Sequence, residues 1–244
     1  MNKLKILTLF LIPVSLSACS KHDPILPGQR ESIFPGAALV ILNKEVQNLP
    51  MNLPETKIID CPYTQDSSNV IWNGDKKIFS GFPTSNSVTS DQKPVCDDEF
   101  VYAGLTTGEM VKVNAKTRNI EWVTDVYREN NMLGGASVLD IVAPVIVKGV
   151  GVYVGGLGDA FCKLDKTGGH KKWCINLGVA EPFIIVDNFA FVVGTNNKLY
   201  AINTSNGDIY WGKKVQDQAA PVYKDKTITV EDETFDASTG KKID

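Results

Sequence analysis

Four cysteines (Cys61, Cys96, Cys162, Cys174) and two histidines (His22, His170) are the residues of this 244-residue chain best suited to metal or redox chemistry, beside a fifth cysteine at position 19. No two cysteines form a CxxC pair, and none stands at ligand spacing from a histidine, so a metal site has no support. An even number of cysteines does permit disulfides in an oxidising compartment. Cys162 and Cys174 flank a turn at Gly168-Gly169, which places them opposite each other or within one residue of it. A cross-strand disulfide and two buried thiols both fit that spacing. His170 closes a Gly-Gly-His turn and reads as an exposed turn residue. No Ser/His/Asp grouping, paired-carboxylate motif or HExxH is visible. Gly155-Gly156-Leu157-Gly158 joins two strands and precedes no helix, so it is not a phosphate loop. Glu231-Asp232-Glu233 reads as a solvated turn. The residues predict no catalytic, metal or cofactor site.

The elements that carry these residues repeat. From Phe191 to Trp211 the chain reads as three short strands, with an Asn196-Asn197 turn and an Asn206-Gly207 turn between them. Asn-Gly between apolar runs favours a hairpin because both residues tolerate positive φ. Asp or Asn followed eight residues later by Trp occurs at Asn114/Trp122, Asp165/Trp173 and Asn203/Trp211, and Asp236 to Gly240 begins a further copy. Pro94, Pro144, Pro182 and Pro221 precede the copies, at spacings of 50, 38 and 39 residues. Short strands at such a period predict an all-β fold, a β-propeller of four-stranded blades. Residues 57–244 provide about four to five blades, with closure of the ring left open. Either Val70-Ile71-Trp72 completes the last blade, or Lys241–Ile243 fills that place.

Trp72, Trp122, Trp173 and Trp211 are expected to form one structural set, since each large ring buries roughly 150–250 Å². Trp72 is read as ending a degraded half-blade that begins at Ile58-Ile59. Two connections, 73–93 and 123–143, are longer than those at 174–181 and 212–220. Long loops on a rigid scaffold are where binding tends to reside.

The first 18 residues carry Lys3, Lys5 and an apolar run from Ile6 to Leu16, too short to span a membrane. Leu16-Ser17-Ala18-Cys19 resembles a bacterial lipobox, which implies cleavage before Cys19 and lipidation of that residue. Ser20, where an Asp would retain the product at the inner membrane, implies outer-membrane sorting with the protein facing the periplasm. Loss of residues 1–18 takes away two lysines and no acids, so the net charge moves from −3 to −5. With no basic run, nucleic acid is not an expected partner. Residues 19–56, with Pro24, Pro27, Pro35 and Pro50, read as a tether containing one edge strand at Leu39–Leu42.

The blade pattern, strand-Gly-polar turn-Leu/Phe-aromatic-Ala-Ile-Asn/Asp-x-x-x-Gly-x-x-x-Trp, resembles the PQQ-like propeller repeat. With the lipobox, the chain is similar to the BamB-type family of outer-membrane-protein assembly lipoproteins, most clearly from Pro94 to Gly240. That resemblance implies a propeller without catalytic activity or cofactor that binds the periplasmic domains of the outer-membrane β-barrel assembly protein. It also implies partner contact through a long inter-blade connection, which corresponds in order to Met132–Ala143. The Arg and paired acids of that contact are not matched residue for residue; Asp140 is read as their remnant, and Leu133, Leu139 and Ile141 are the apolar candidates. These apolar residues either stand partly exposed as an interface or fold back onto the blade. The chain departs from the family in length and in carrying Arg118 where Gly169, Gly207 and Gly240 hold the equivalent turn. Two other readings remain, a degenerate propeller acting as a generic interaction module and a fragment of a quinone-cofactor dehydrogenase.

Overall fold

Strands of the computed structural model follow one another in five antiparallel sheets, each with its strands in sequence order. The structure describes residues 39–53, 61–84, 93–127 and 139–243. These lie in one compact unit, Gly36–Asp244. The leader, Cys19, Ile58-Ile59 and Leu133 lie outside the described residues.

Blade 1 has three strands, β1 (Tyr63–Gln65), β2 (Val70–Asn73) and β3 (Lys76–Ser80). Blade 2 is β4 (Val95–Asp97), β5 (Phe100–Gly104), β6 (Glu109–Asn114) and β7 (Ile120–Asp125). Blade 3 is β8 (Ile146–Lys148), β9 (Gly151–Gly155), β10 (Phe161–Asp165) and β11 (Lys171–Ile175). Blade 4 is β12 (Ile184–Val186), β13 (Phe189–Gly194), β14 (Lys198–Asn203) and β15 (Ile209–Lys214). Blade 5 is β16 (Val222–Lys224), β17 (Thr227–Val230), β18 (Glu233–Asp236) and β19 (Lys242–Ile243). The fold is the all-β propeller that the repeats predict. β19 is the fourth strand of blade 5, so the place offered to Val70-Ile71-Trp72 is already taken.

Burial explains the composition of each strand. Every residue of β9 and of β13 is buried, because these strands lie between neighbouring blades and are covered on both faces. Blade 5 alternates instead: Ile228, Val230 and Phe235 are buried, whereas Thr227, Thr229 and Thr234 are partly exposed. Four apolar clusters fill the joints between consecutive blades.

The Asp/Asn-x-x-x-Gly motif is a closed turn. Asp165 Oδ1 accepts from the amides of Thr167 and Gly168, and Asn203 Oδ1 accepts from that of Ser205. Gly169, Gly207 and Gly240 then donate their amides to the carbonyls of Asp165, Asn203 and Asp236. All three glycines take positive φ, between 66° and 81°. Arg118 adopts the same conformation, φ 61°, without the freedom of glycine.

Blades 1 to 4 also carry a β-bulge between their last two strands, directly before one aromatic residue of the last strand. The pairs formed by that residue are Lys112 and Trp122, Lys163 and Trp173, and Ala201 and Trp211. In blade 1 they are Ile71 and Phe79. Phe79, and not Trp72, therefore holds the tryptophan register of blade 1. Trp72 lies on β2, next to the buried Ile71, and alternation turns it to the opposite face. It is partly exposed there, with Lys77 Nζ 5.8 Å from its ring and its indole N–H donated to Asp66 at 2.9 Å. The expectation that Trp72 joins the other three is corrected by this one-residue offset.

A second correction concerns the tether. Residues 39–50 do not hang free: Ile41 makes a parallel bridge to Ile209, and Val46 and Leu49 are buried.

Candidate interaction surface

The long connection after β7 is described at its two ends, through Tyr127 and again from Leu139. Tyr127 is buried under three glycines. A Cβ at Gly108 or Gly158 would fall 2.6 or 2.7 Å from its ring, and one at Gly156 would fall 2.4 Å from its hydroxyl oxygen. The Gly-rich loop is thus glycine because a phenol ring lies against it. Burial pushes the Tyr127 phenol well above its ordinary pKa, so it stays neutral.

From Leu139 the chain enters the joint of blades 2 and 3. The Ile141 amide donates to the Leu105 carbonyl at 3.3 Å, and the Asp140 carbonyl accepts from Leu157 at 3.0 Å. Ile141 is 2% exposed and belongs to the apolar cluster with Tyr127 and Val145, and Leu139 packs half-buried against it. Asp140 is 1% exposed. Of the two alternatives for Ile141 the structure shows the second, folding back onto the blade, and Asp140, the acid expected at a partner contact, is buried beside it. Both residues bridge two blade turns, and that backbone bonding draws their side chains inward. Leu139 alone of the described candidates keeps partial access to solvent.

Sequence reasoning missed two features of the inter-blade joints. The first is a tie. Lys112 Nζ and the Trp122 indole both donate to the Lys166 carbonyl of blade 3, each at 3.2 Å. Lys163 and Trp173 repeat the arrangement on the Thr204 carbonyl of blade 4, at 2.9 and 3.1 Å. Burial lowers the Lys112 ammonium pKa, and its charge sits 3.9 Å from the Phe100 ring centroid. The shared spacing, Lys two residues before Asn114 and Asp165, was the available signal. The second is a disulfide between Cys61 and Cys96, which joins the entry of blade 1 to β4. Cys162 and Cys174 are also bonded, directly opposite each other on β10 and β11. His170 is exposed. Among the described residues no group of three or more His, Cys, Asp and Glu side chains could hold a metal ion.

The acidic stretch divides. Glu231 and Asp232 are exposed in the turn, but Glu233 accepts from Lys242 Nζ and from the Gln216 amide, both at 2.8 Å. These two bonds hold its carboxyl below the ordinary range, the lysine first.

Comparison with known proteins places this architecture. Residues 162–243 match the family described as outer membrane protein assembly factor BamB. No curated protein matches the chain. Among solved structures, BamB from Moraxella catarrhalis superposes with a TM-score of 0.51 at 16% identity, over 75% of this chain and 62% of that one. The chain thus spans less than two thirds of that relative's length. The quinohemoprotein alcohol dehydrogenase ADHIIG from Pseudomonas putida HK5 superposes with a TM-score of 0.55 at 13% identity, over 75% of this chain and 40% of that one. At these identities the likeness is one of fold. The chain carries a BamB-like propeller of PQQ repeats.

Proposed function

We propose that this BamB-like propeller is a non-catalytic, periplasm-facing scaffold of outer-membrane protein assembly, and that it binds the β-barrel assembly protein. The observation that carries the reading is the match of residues 162–243 to the BamB assembly-factor family. It runs from β10 of blade 3 through blade 5, the stretch in which Gly169, Gly207 and Gly240 hold the turn motif. The lipobox-like Leu16–Cys19 supports membrane attachment through a lipid on Cys19. The long connection at 123–143, whose described ends Tyr127 and Leu139 pack in the joint of blades 2 and 3, is the contact segment, with Leu133 and Leu139 as its apolar candidates.

The test is affinity purification of the tagged full chain from detergent-solubilised envelope, followed by identification of co-purifying proteins. Recovery of the outer-membrane β-barrel assembly protein supports the role. A propeller that purifies without it is instead a generic interaction module. Cys19→Ala should move the protein from the membrane to the soluble periplasm, and continued membrane fractionation would refute the anchor.

A further inference from the structure

The polar tie that links blades 2 to 3 and 3 to 4 is missing between blades 4 and 5. Ala201 stands where Lys112 and Lys163 stand in the preceding blades. The Trp211 indole nitrogen is buried and has no hydrogen-bond partner among the described residues. A buried donor left unpaired weakens a joint relative to its neighbours.

Another part of the chain occupies this joint. Leu42 and Lys44 donate their amides to the carbonyls of Ile209 and Tyr210 on the outer edge of β15, at 2.9 and 3.0 Å. Val46 then donates to the Ser238 carbonyl of blade 5 at 2.9 Å, and the Ser238 hydroxyl donates back to the Val46 carbonyl. The Tyr223 hydroxyl of β16 donates to the Pro50 carbonyl. Val46 and Leu49 are 2% and 7% exposed and join the apolar cluster that unites blades 4 and 5. Gly212 admits the segment, since a Cβ there would lie 3.0 Å from Ile41 Cδ1. Residues 41–50 thus touch blade 4 first and blade 5 second.

We infer that residues 41–50 are a detachable latch that holds blade 5 on blade 4. The inference does not depend on the assembly role. The latch binds one strand edge by backbone hydrogen bonds and the joint by two apolar side chains, as an added β-strand does. With the latch withdrawn, blade 5 keeps its apolar contact and the bond from the Gln216 amide to Glu233, loses every hydrogen bond to residues 41–50, and loosens as a unit. Blades 2 to 4 keep their Lys and Trp ties.

Hydrogen exchange on the full chain tests this. In the double variant Val46→Asp/Leu49→Asp, amides of β17 and β18 should exchange at least about tenfold faster, while those of β9 and β13 keep their protection, because local openings are independent of global unfolding. The milder Ser238→Ala should shift the same amides in the same direction by less. An excess of a synthetic peptide of residues 39–53 should restore protection to the double variant. Uniform loss across all blades, unchanged exchange in blade 5, or a loss that the peptide does not reverse would each overturn the latch.

Discussion

Gly207 of blade 4 lies against the Trp173 ring of blade 3, so closely that a Cβ on Gly207 would sit 3.0 Å from the indole. The same contact joins Gly169 to Trp122 and Gly240 to Trp211. The turn glycine and the tryptophan of one repeat therefore serve different joints. Blades 3 and 4 each offer their glycine to the preceding ring and their own ring to the following glycine.

Gly207→Ala should consequently destabilise the protein twice over. It places a side chain at φ 81° and forces the carbon onto Trp173. The left-handed conformation alone costs about 1–2 kcal/mol. Arg118→Gly should act in the opposite direction, because Arg118 carries the same strain at φ 61° and the register opposite it in blade 1 holds Phe79. The expected gain is at most about 1 kcal/mol, since glycine also costs entropy in the unfolded chain. Urea midpoints of the two variants moving in the same direction would refute this account of the repeat.

The contact also shows how much the sequence disclosed. Asn203, Gly207 and Trp211 recur at fixed offsets because one turn geometry and one ring contact recur, so the blades were legible. Trp72 misled because identity was followed without register: the bulge pairs Ile71 with Phe79 and leaves the indole on the other face. Val46 and Leu49 lie in a segment with weak periodicity, and what orders them is a partner strand more than 150 residues later. No local pattern reports that. The inward turn of Ile141 was equally hidden, because it follows from backbone bonding to Leu105 in another blade.

Peptide mapping under non-reducing conditions should recover Cys61 joined to Cys96 and Cys162 joined to Cys174. The two bonds close sequence separations of 35 and 12 residues. Since loop-closure entropy grows with the logarithm of loop length, the longer bridge should contribute about 1 kcal/mol more. Cys61→Ala/Cys96→Ala should thus lower the urea midpoint further than Cys162→Ala/Cys174→Ala. The reverse order would mean that the packing of the half-exposed blade 1 dominates over the cross-link.

Glu233 gives blade 5 an acid dependence of known sign. Lys242 and the Gln216 amide hold its folded pKa below the ordinary 4.5. A depressed carboxyl pKa contributes stability that is present above the unfolded value and lost as pH falls through the folded one. The contribution should therefore be complete at neutral pH and fade on acidification below about pH 4.5. Glu233→Gln should remove that part of the acid response, measured as a smaller drop in urea midpoint between neutral and acidic buffer. An unchanged acid response would show that the ion pair with Lys242 has no energetic weight.

Ile141 and Leu139 separate packing from contact in the long connection. Ile141 is sealed in the joint of blades 2 and 3, so Ile141→Ser should cost about 2–5 kcal/mol, as for a large-to-small change in a core. It also places a hydroxyl among apolar groups, which adds to the loss. Leu139 is only half-buried, so Leu139→Ser should lower the urea midpoint by less. The two variants should divide differently in co-purification. At a temperature where both remain folded, Ile141→Ser should retain the assembly partner, because its side chain never reaches the surface. Leu139→Ser should weaken recovery if the base of the connection forms part of the contact. Loss of binding in folded Ile141→Ser, with binding intact in Leu139→Ser, would reverse the assignment and place the contact inside the joint itself.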